Sequence, residues 1–410
     1  MASMAANRKL NILLFLACIF LLGFRIFSLW NSFLPDFHVF YFSSLDLLGN
    51  RNPYTDTFLF TGLGYPIVTL LPFLFLTLFP FSIASKIFLI LNIVSLCGVI
   101  TLSLKILQEF STRNFLVFLF ISLFFFPVSF TFGMGQVNIL AYFLLLLGIY
   151  LRKRFDFYPG ILIAFAILLK PIFIFLMLFF LLKKNWKVLF VTLATLIILV
   201  LVTIKLFGIF DYFYYLNHQV PQLLSMSGRE IYYNQGFTGF IARLTHNLFL
   251  RKFIPFLFTI ITIFYLLFLW IKKIFYEHLL SLFLIALLLI DTLSWQHHFV
   301  FLIFPFITLF FTIKRHQEKS ILYFFLGIAF ILTGMNITMP NLFMRFPITL
   351  LLSHVFYGTI LLFALFTYVL QKQKFLQNKK ISLLFFNIFI LGVLIEYLVF
   401  LSCRGHICLR

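Results

Sequence analysis

The sequence predicts an all-α polytopic membrane protein, a helical bundle of about 12 spans. Hydrophobic residues make up 63% of the chain, and charged residues only 10%. Apolar runs of roughly 15 to 25 residues recur from one end to the other, a length that suits helices crossing a bilayer. Short basic clusters separate these runs, as is typical of loops at a membrane surface.

The apolar runs define the predicted spans in order along the chain. They cover residues 10–30, 82–104, 114–131, 137–151, 158–182, 187–207, 253–271, 279–293, 299–313, 320–338, 346–370 and 381–400. The run 158–182 is interrupted at Lys170-Pro171, where proline removes a backbone donor and disfavours helix in the residue before it. We expect two half-spans there, with the turn lining a wet cavity. The alternative is one long kinked helix.

The basic clusters predict the orientation of the spans. The chain carries 31 Lys and Arg against 11 Asp and Glu, a formal net charge of +20. Loops rich in Lys and Arg stay cytoplasmic, so the amino terminus is expected inside, as part of a retained helix and not a signal peptide. Three segments then fall on the outer face: 31–81, 208–252 and 294–298. Turn formers and aromatic residues in the first one indicate short interfacial helices.

The composition and motifs exclude several classes of function. Lipid headgroups and topology explain the basic clusters, so no nucleic-acid partner is expected. No Walker sequence, HExxH or GxSxG occurs, which leaves ATP-driven transport and zinc or serine hydrolysis without support. The four cysteines follow no metal spacing, although Cys403 and Cys408 can pair as a disulfide if the tail lies outside. We expect neither a metal nor a cofactor.

Asp36 is the first candidate for chemistry. It stands just past the first apolar run, in a chain with few acidic residues. A carboxylate at the mouth of a membrane protein is a functional candidate by default. Buried surroundings would raise its pKa toward neutrality, and nearby cations would lower the pKa. The sequence leaves both effects open.

A polar segment, 133–138, lies between two predicted spans. It reads Gly-Met-Gly-Gln-Val-Asn. The glycines permit a tight turn, and the amides of Gln136 and Asn138 can bond hydroxyls or backbone groups. Alone the segment is equally well explained as the start of a membrane helix.

Two more polar groups occur in the outer segments. Asn234 and Gln235 stand shortly before Arg243, whose guanidinium can clamp a phosphate bidentately or anchor an interfacial helix. Trp295 is followed by His297 and His298. These imidazoles suit a phosphate, a hydroxyl or a proton, and the alternative is hydrogen-bonded interfacial residues. On a helix, adjacent histidines point about 100° apart, which is poor spacing for metal ligands. We expect all these groups to converge on one cavity.

In order and spacing, these residues resemble those of a known family. The elements are Asp36 with Tyr41, Leu48-Gly49, Pro53-Tyr54, Tyr65-Pro66, Gly135-Gln136-Val137-Asn138, Lys170-Pro171, Asn234-Gln235, Arg243, and Trp295 with His297-His298. They resemble the bacterial glycosyltransferases of family 87, GT-C enzymes that use polyprenyl-phosphate sugars and include the mycobacterial polyprenyl-phosphomannose-dependent mannosyltransferases. The chain departs from the family at Ile67, because the family often has Tyr-Pro-Pro where this chain has Tyr65-Pro66-Ile67. It also departs at Gly236, because a serine commonly follows the Asn-Gln pair in the family. The last hundred residues contribute only spans.

The resemblance implies one integral membrane glycosyltransferase domain over residues 1–410, with a GT-C type bundle. It implies inverting transfer of a sugar from a polyprenyl-phosphate donor. The expected sugar is mannose, and the alternatives are a pentose or another hexose. The acceptor would be a lipid-linked or envelope glycan on the outer face of the bacterial inner membrane. Asp36 would be the general base. Donor and acceptor contacts would come from Tyr41, Tyr54, Tyr65, Gln136, Asn138, Lys170, Asn234, Gln235, Arg243, Trp295, His297 and His298.

Two other classes of protein share some of these features. A transporter or flippase also has a broken helix, polar residues within the membrane and many spans. The absence of visible repeat symmetry and the concentration of motifs on one face count against it. An oligosaccharide ligase or polymerase would use a large outer segment rich in Arg, and residues 208–252 are modest by comparison.

Overall fold

A computed structural model describes residues 2–54, 62–225, 233–315, 320–337 and 348–371. In these ranges the chain is helical, and the predicted all-α class is confirmed. Extended pairing there is limited to an isolated antiparallel bridge between Asn234 and Trp295. The chain divides into two compact units, Met1–Met226 and Ser227–Arg410.

The described part of the first unit consists of helices joined by short turns. The α-helices are α1 Ala2–Leu29, α2 Pro35–Leu48, α3 Leu71–Leu74, α4 Phe81–Ile106, α5 Thr112–Phe124, α6 Phe126–Met134, α7 Asn138–Leu151, α8 Tyr158–Leu169, α9 Leu176–Leu182, α10 Trp186–Phe207, α11 Phe210–Tyr214 and α12 Val220–Leu224. Tighter 3₁₀ turns cover Ile67–Leu70, Leu76–Leu78 and Pro171–Phe175, and a π-helical turn covers Tyr215–Gln219. The first predicted outer segment therefore does contain short helices.

The described part of the second unit is built in the same way. Its α-helices are α13 Phe237–Leu244, α14 Leu248–Ile271, α15 Tyr276–Ile290, α16 Ile303–Arg315, α17 Ser320–Gly334 and α18 His354–Leu370. The 3₁₀ helix Gln296–Leu302 leads directly into α16, and the 3₁₀ helix Ile348–Ser353 leads into α18.

Six helical stretches of the described chain are long and apolar enough to cross a membrane, or seven if one bent pair counts as a span. The six are Lys9–Leu29, Phe81–Ile106, Trp186–Phe207, Leu248–Ile271, Gln296–Arg315 and Leu351–Leu370. The predicted number of 12 spans is not confirmed. Helices such as α7 and α15 have only 14 and 15 residues, and about 20 are needed for the hydrocarbon core. The predicted span 381–400 and the pair Cys403 and Cys408 lie outside the described residues.

The predicted span at 114–131 is not a single straight helix, because the structure has a bent pair of helices there. Helices α5 and α6 meet at Phe125 with a bend of 68°. Pro127 stands in the first turn of α6, where its missing N–H is tolerated, whereas inside one continuous helix it would remove a backbone hydrogen bond.

The predicted break at Lys170-Pro171 is confirmed. Helix α8 ends at Leu169, Lys170 has non-helical angles (φ −140°, ψ 89°), and a 3₁₀ turn begins at Pro171. This matches the steric effect of a proline on the residue before it. The Lys170 side chain is packed inside the first unit, with a relative exposure of 4%.

Helix α2 carries Asp36 and is fixed by its apolar face. Phe37, Phe40, Tyr41 and Leu47 are buried, and their spacing of three, four and seven residues matches one face of an α-helix. The Phe37 ring stacks on Phe88 of α4 with centroids 4.6 Å apart. Phe40 likewise stacks on Phe73 of α3 at 4.5 Å. These aromatic contacts hold the first turn of α2 against its neighbours.

The start of α2 is also in close contact with the turn after α6. Gly135 has φ +66°, a left-handed conformation that favours glycine. A β-carbon at this position would lie 2.7 Å from Phe37 Cβ and 2.9 Å from Leu34 Cβ. Leu34 itself has φ +47°, a strained conformation for a residue with a side chain. The turn can therefore approach α2 only because residue 135 lacks a side chain.

We predict that Gly135→Ala destabilises the protein by about 1–3 kcal/mol, because alanine at positive φ and in that space forces Leu34 and Phe37 apart. The matched control is Gly133→Ala, since Gly133 lies in α6 and a β-carbon there meets nothing within 4 Å. Thermal unfolding of both variants in lipid nanodiscs measures the difference. Equal melting temperatures would contradict the role given to Gly135.

Candidate active site

Asp36 lies in the first turn of α2 and is partly buried. Gln136 Nε2 donates a hydrogen bond of 2.6 Å to Asp36 Oδ2. The two residues are 100 positions apart in the chain, and the Gly135 turn brings them together. The segment 133–138 was expected to bond hydroxyls or backbone groups, and in the structure Gln136 bonds the candidate base instead.

The environment of Asp36 raises its pKa to about 6. Burial is the largest cause, because it disfavours the charged form of the carboxyl group. The Gln136 hydrogen bond and the positive charge of Lys170 act in the opposite direction and lower the pKa. Both effects foreseen from the sequence are therefore present, and burial is the stronger. A carboxyl group with this pKa is largely ionised at neutral pH and is still basic enough to accept a proton.

Lys170 is linked to two tyrosines of the first predicted outer segment. Its Nζ donates to Tyr65 Oη at 2.9 Å, and Tyr54 Oη donates to the Tyr65 carbonyl oxygen at 3.1 Å. Burial, together with nearby Tyr215 and Asp211, raises the pKa of Tyr54. Tyr54 is therefore a neutral hydrogen-bonding group at all physiological pH values.

The remaining candidates of the first unit, Tyr41 and Asn138, are buried close to the same helices. Tyr41 Oη donates to the Phe79 carbonyl oxygen at 2.9 Å, which ties α2 to the segment before α4. Asn138 is the first residue of α7, two positions after Gln136. The first unit thus gathers Asp36, Gln136, Lys170, Tyr65 and Tyr54 through direct hydrogen bonds and electrostatic contact.

The candidates of the second unit surround the bridge between Asn234 and Trp295. Gln235 N donates to the Ser294 carbonyl oxygen at 2.8 Å, and Gln296 N donates to the Tyr233 carbonyl oxygen at 3.0 Å. The Tyr233 and Trp295 rings are stacked, with an interplanar angle of 2°. Two motifs some 60 residues apart in the chain are therefore joined by backbone hydrogen bonds.

Arg243 is held inside the second unit by several hydrogen bonds. Its Nε and Nη2 donate to Ser353 Oγ at 3.0 and 2.8 Å, and its Nη1 donates to the Asn234 carbonyl oxygen at 2.8 Å. Burial lowers the pKa of the guanidinium to about 10, so it stays charged at neutral pH. Gln235 Nε2 also reaches this region and donates to the Leu352 carbonyl oxygen at 2.5 Å.

His297 and His298 lie in the 3₁₀ helix Gln296–Leu302 and are buried. Their ring centroids are 4.6 Å apart, and the Trp295 ring lies 6.0 Å from His297. The sequence treated them as part of an outer tip, and the structure packs both side chains within the second unit. Groups of three or more His, Cys, Asp or Glu suited to a metal ion are absent among the described residues.

Sequence reasoning missed Ser353, which accepts two of the Arg243 hydrogen bonds. The pattern of the last hundred residues predicts only spans. The adjacent polar pair Ser353-His354 inside the apolar run 346–370 was the available signal. Gly236 stands where the family commonly has serine, and the structure leaves little room there for a side chain. A β-carbon at this position would lie 3.0 Å from the Asp291 carbonyl oxygen and 3.1 Å from Ser294 Cβ.

The fold and composition define a polytopic helical membrane protein. A family model described as Glycosyltransferase family 87 matches residues 63–295, which is more than half of the chain. The chain belongs to glycosyltransferase family 87, and the suspected family is confirmed. Asp36 precedes the matched region, and His297 and His298 follow it. Neither the search of curated proteins nor that of solved structures finds a match.

The Gln136 hydrogen bond gives a pH-dependent prediction. Because this bond lowers the pKa of Asp36, its removal in Gln136→Leu should raise that pKa further above about 6. A base must be deprotonated to act, so the acid limb of the kcat/KM profile for sugar transfer should move to higher pH. Gln222→Leu, an exposed glutamine on α12, serves as the control and should leave the limb in place. An unchanged acid limb in Gln136→Leu would contradict the account.

Proposed function

We propose that the whole chain, residues 1–410, works as one GT-C type glycosyltransferase that uses a polyprenyl-phosphate sugar. The donor sugar is mannose in the first instance, and the acceptor is a lipid-linked or envelope glycan. The reaction takes place on the outer face of the bacterial inner membrane. The observation that carries this proposal is the partly buried Asp36 carboxyl, with a pKa raised to about 6 and a bound amide, in a member of a glycosyltransferase family.

Asp36 acts as the general base in a single displacement. Its carboxylate takes the proton from an acceptor hydroxyl while that oxygen bonds to the anomeric carbon. The bond from the anomeric carbon to the phosphate oxygen breaks, and polyprenyl phosphate leaves with both electrons of that bond. Attack and departure occur on opposite sides of the anomeric carbon, so its configuration is inverted. A base with a pKa near 6 accepts this proton more readily than an ordinary aspartate.

Gln136 and the tyrosines support the binding of substrate hydroxyls. Gln136 Nε2 is used by Asp36, whereas Gln136 Oε1 is buried and has no hydrogen-bond partner among the described residues. Buried polar atoms are usually satisfied in the working state of a protein. A sugar hydroxyl beside Asp36 would donate to this oxygen. Tyr41, Tyr54, Tyr65 and Asn138 complete the proposed contacts of the first unit.

The leaving phosphate needs positive charge more than it needs an acid. Lys170 supplies one cation close enough to Asp36 to influence its pKa, and a fixed cation stabilises developing phosphate charge. A lipid-linked donor also removes the need for a nucleotide-binding domain, because its apolar tail can enter sideways from the membrane.

The proposed donor and acceptor contacts within the second unit are Asn234, Gln235, Arg243, Trp295, His297 and His298. The imidazoles of His297 and His298 donate hydrogen bonds to the donor phosphate or carry a proton. Arg243 is engaged by Ser353 and Asn234, which favours a positioning role for its guanidinium. A transporter or an oligosaccharide ligase remains the alternative, and membership of a glycosyltransferase family favours transfer over transport.

We predict that Asp36→Asn abolishes transfer with the fold intact, a loss of roughly 10²- to 10⁴-fold, because the amide cannot accept the proton. The assay measures polyprenyl phosphate released from synthetic polyprenyl-phosphomannose by mass spectrometry, with purified protein in lipid. Asp156→Asn is the control, since Asp156 forms an exposed ion pair with Lys187. It should keep wild-type turnover.

Two outcomes of this assay would count against the proposal. Normal turnover by Asp36→Asn would remove the base from the mechanism. Failure of the wild type with polyprenyl-phosphate mannose, other hexoses and pentoses would remove the donor class and favour the transporter.

We also predict that His297→Ala and His298→Ala each lower transfer by roughly 10²-fold, because each removes a donor for the phosphate. The matched control is His278→Ala, which removes, among other contacts, a 2.8 Å hydrogen bond to Thr312 between α15 and α16. This control should lower the melting temperature and leave turnover per folded molecule unchanged. Equal turnover in all three variants would contradict the assignment.

A further inference from the structure

A cavity of about 570 Å³ opens in the first unit at the far end of α2 from Asp36. Its walls come from the end of α2 and the following turn on one side. The end of α10, α11 and the π-helical turn form the other side. None of the roles proposed above uses this cavity. The residues that matter most are Asn50, Arg51, Phe210, Asp211, Asn217 and His218.

Aromatic rings form a large part of the cavity wall. The lining residue Tyr214 has its ring 4.6 Å from the His218 ring, and Tyr54 stacks on Tyr214 from outside the lining, with centroids 5.6 Å apart. Phe210 also lines the cavity and is 83% exposed. The negative faces of such rings attract the positively polarised C–H groups of a pyranose ring.

The polar groups of the cavity suit a neutral ligand rich in hydroxyls. Asn50 and Asn217 offer both donors and acceptors, and Asp211 offers acceptors. The charge of Arg51 is balanced by Asp46, with an N···O distance of 2.6 Å. The unbalanced acidic group is then Asp211, which disfavours an anionic ligand such as a phosphate. A ring-faced, amide-lined cavity without net positive charge matches a carbohydrate.

The wall formed by Tyr215–Gln219 is a π-helical turn. Such turns are rare and occur frequently at functional sites, because the extra residue redirects the side chains. Here the turn carries Asn217 and His218, and both side chains are exposed toward the cavity.

The cavity is connected to the candidate base by a series of contacts that ends in an electrostatic interaction. Tyr54 stacks on the cavity residue Tyr214 and donates to the Tyr65 carbonyl oxygen. Tyr65 Oη in turn accepts from Lys170, whose charge acts on Asp36. The cavity residue Leu47 and Asp36 are eleven residues apart on one helix, which is about 16 Å at 1.5 Å per residue. An oligosaccharide can bridge this distance, and a monosaccharide cannot.

We propose that this cavity binds sugar units of the acceptor glycan that lie several residues away from the reacting hydroxyl. The acceptor is then an oligosaccharide and not a single sugar or a bare lipid. The role of this oligosaccharide as the acceptor rests on the proposed function, whereas its binding to the cavity does not.

The test measures carbohydrate binding without any donor. Methyl glycosides of one to four units, in manno, gluco, galacto and arabino series, are titrated by calorimetry into the full chain in nanodiscs. A trisaccharide carrying a photoreactive diazirine is then crosslinked, and the labelled residues are identified by mass spectrometry. The variants are Phe210→Ala and Asn217→Ala. The matched controls are Phe27→Ala, with the same exposure of 83% on α1, and Gln222→Ala, an exposed amide on α12.

In at least one of the four sugar series, we expect the affinity to rise with the number of sugar units. We expect the crosslink to fall within residues 207–218. Phe210→Ala and Asn217→Ala should weaken binding of the longer glycosides about ten-fold, and the controls should not. Absence of length-dependent binding in every series, or equal affinity in variants and controls, would overturn the proposal even if sugar transfer is observed. Length-dependent binding lost in Phe210→Ala without any transfer would retain the cavity site and refute the proposed function.

Discussion

The hydrogen bond from Gln136 to the Asp36 carboxylate is the contact on which the candidate site depends. Burial alone would make the carboxylate costly, and the shift of its pKa from 3.8 to about 6 corresponds to about 3 kcal/mol. Because the folded pKa is the higher one, this cost is largest above about pH 6 and is relieved as the pH falls toward 3.8. Gln136 and Lys170 limit the cost. The Gly135 turn and the aromatic contacts of Phe37 hold these groups in place.

Much of the fold follows from hydrophobicity and proline sterics. Apolar runs predicted helices throughout, and Lys170-Pro171 predicted the break that the structure shows after α8. The same reasoning does not predict the bend at Phe125, because Pro127 lies within an apolar run of spanning length. The 12 spans predicted from run length are not confirmed, since six or seven stretches of the described residues are long and apolar enough to cross a membrane. Helices such as α7 are buried by neighbouring helices and need not reach the length of a bilayer.

The sequence alone picks out the polar residues of the candidate site, but it does not predict which of them form hydrogen bonds with each other. Polar side chains in an apolar chain are costly, so Asp36, Gln136, Asn234 and His297 stood out from the sequence. Their partners did not, because pairing across a hundred residues depends on tertiary packing. The Gln136 to Asp36 bond required the positive φ of Gly135, and the Arg243 bonds required Ser353 from a distant 3₁₀ helix. Each unit nevertheless brings its own motif residues together.

The most direct test of the central claim is a titration of the Asp36 carboxyl group itself. The chain has only six aspartates, so ¹³C labelling of aspartate carboxyl carbons gives a simple NMR spectrum in nanodiscs. The signal missing from Asp36→Asn identifies Asp36. We predict that this signal titrates at about pH 6. A midpoint near 4 would show that water or charge, not burial, controls this carboxyl, and would contradict the account of Asp36 as a tuned base.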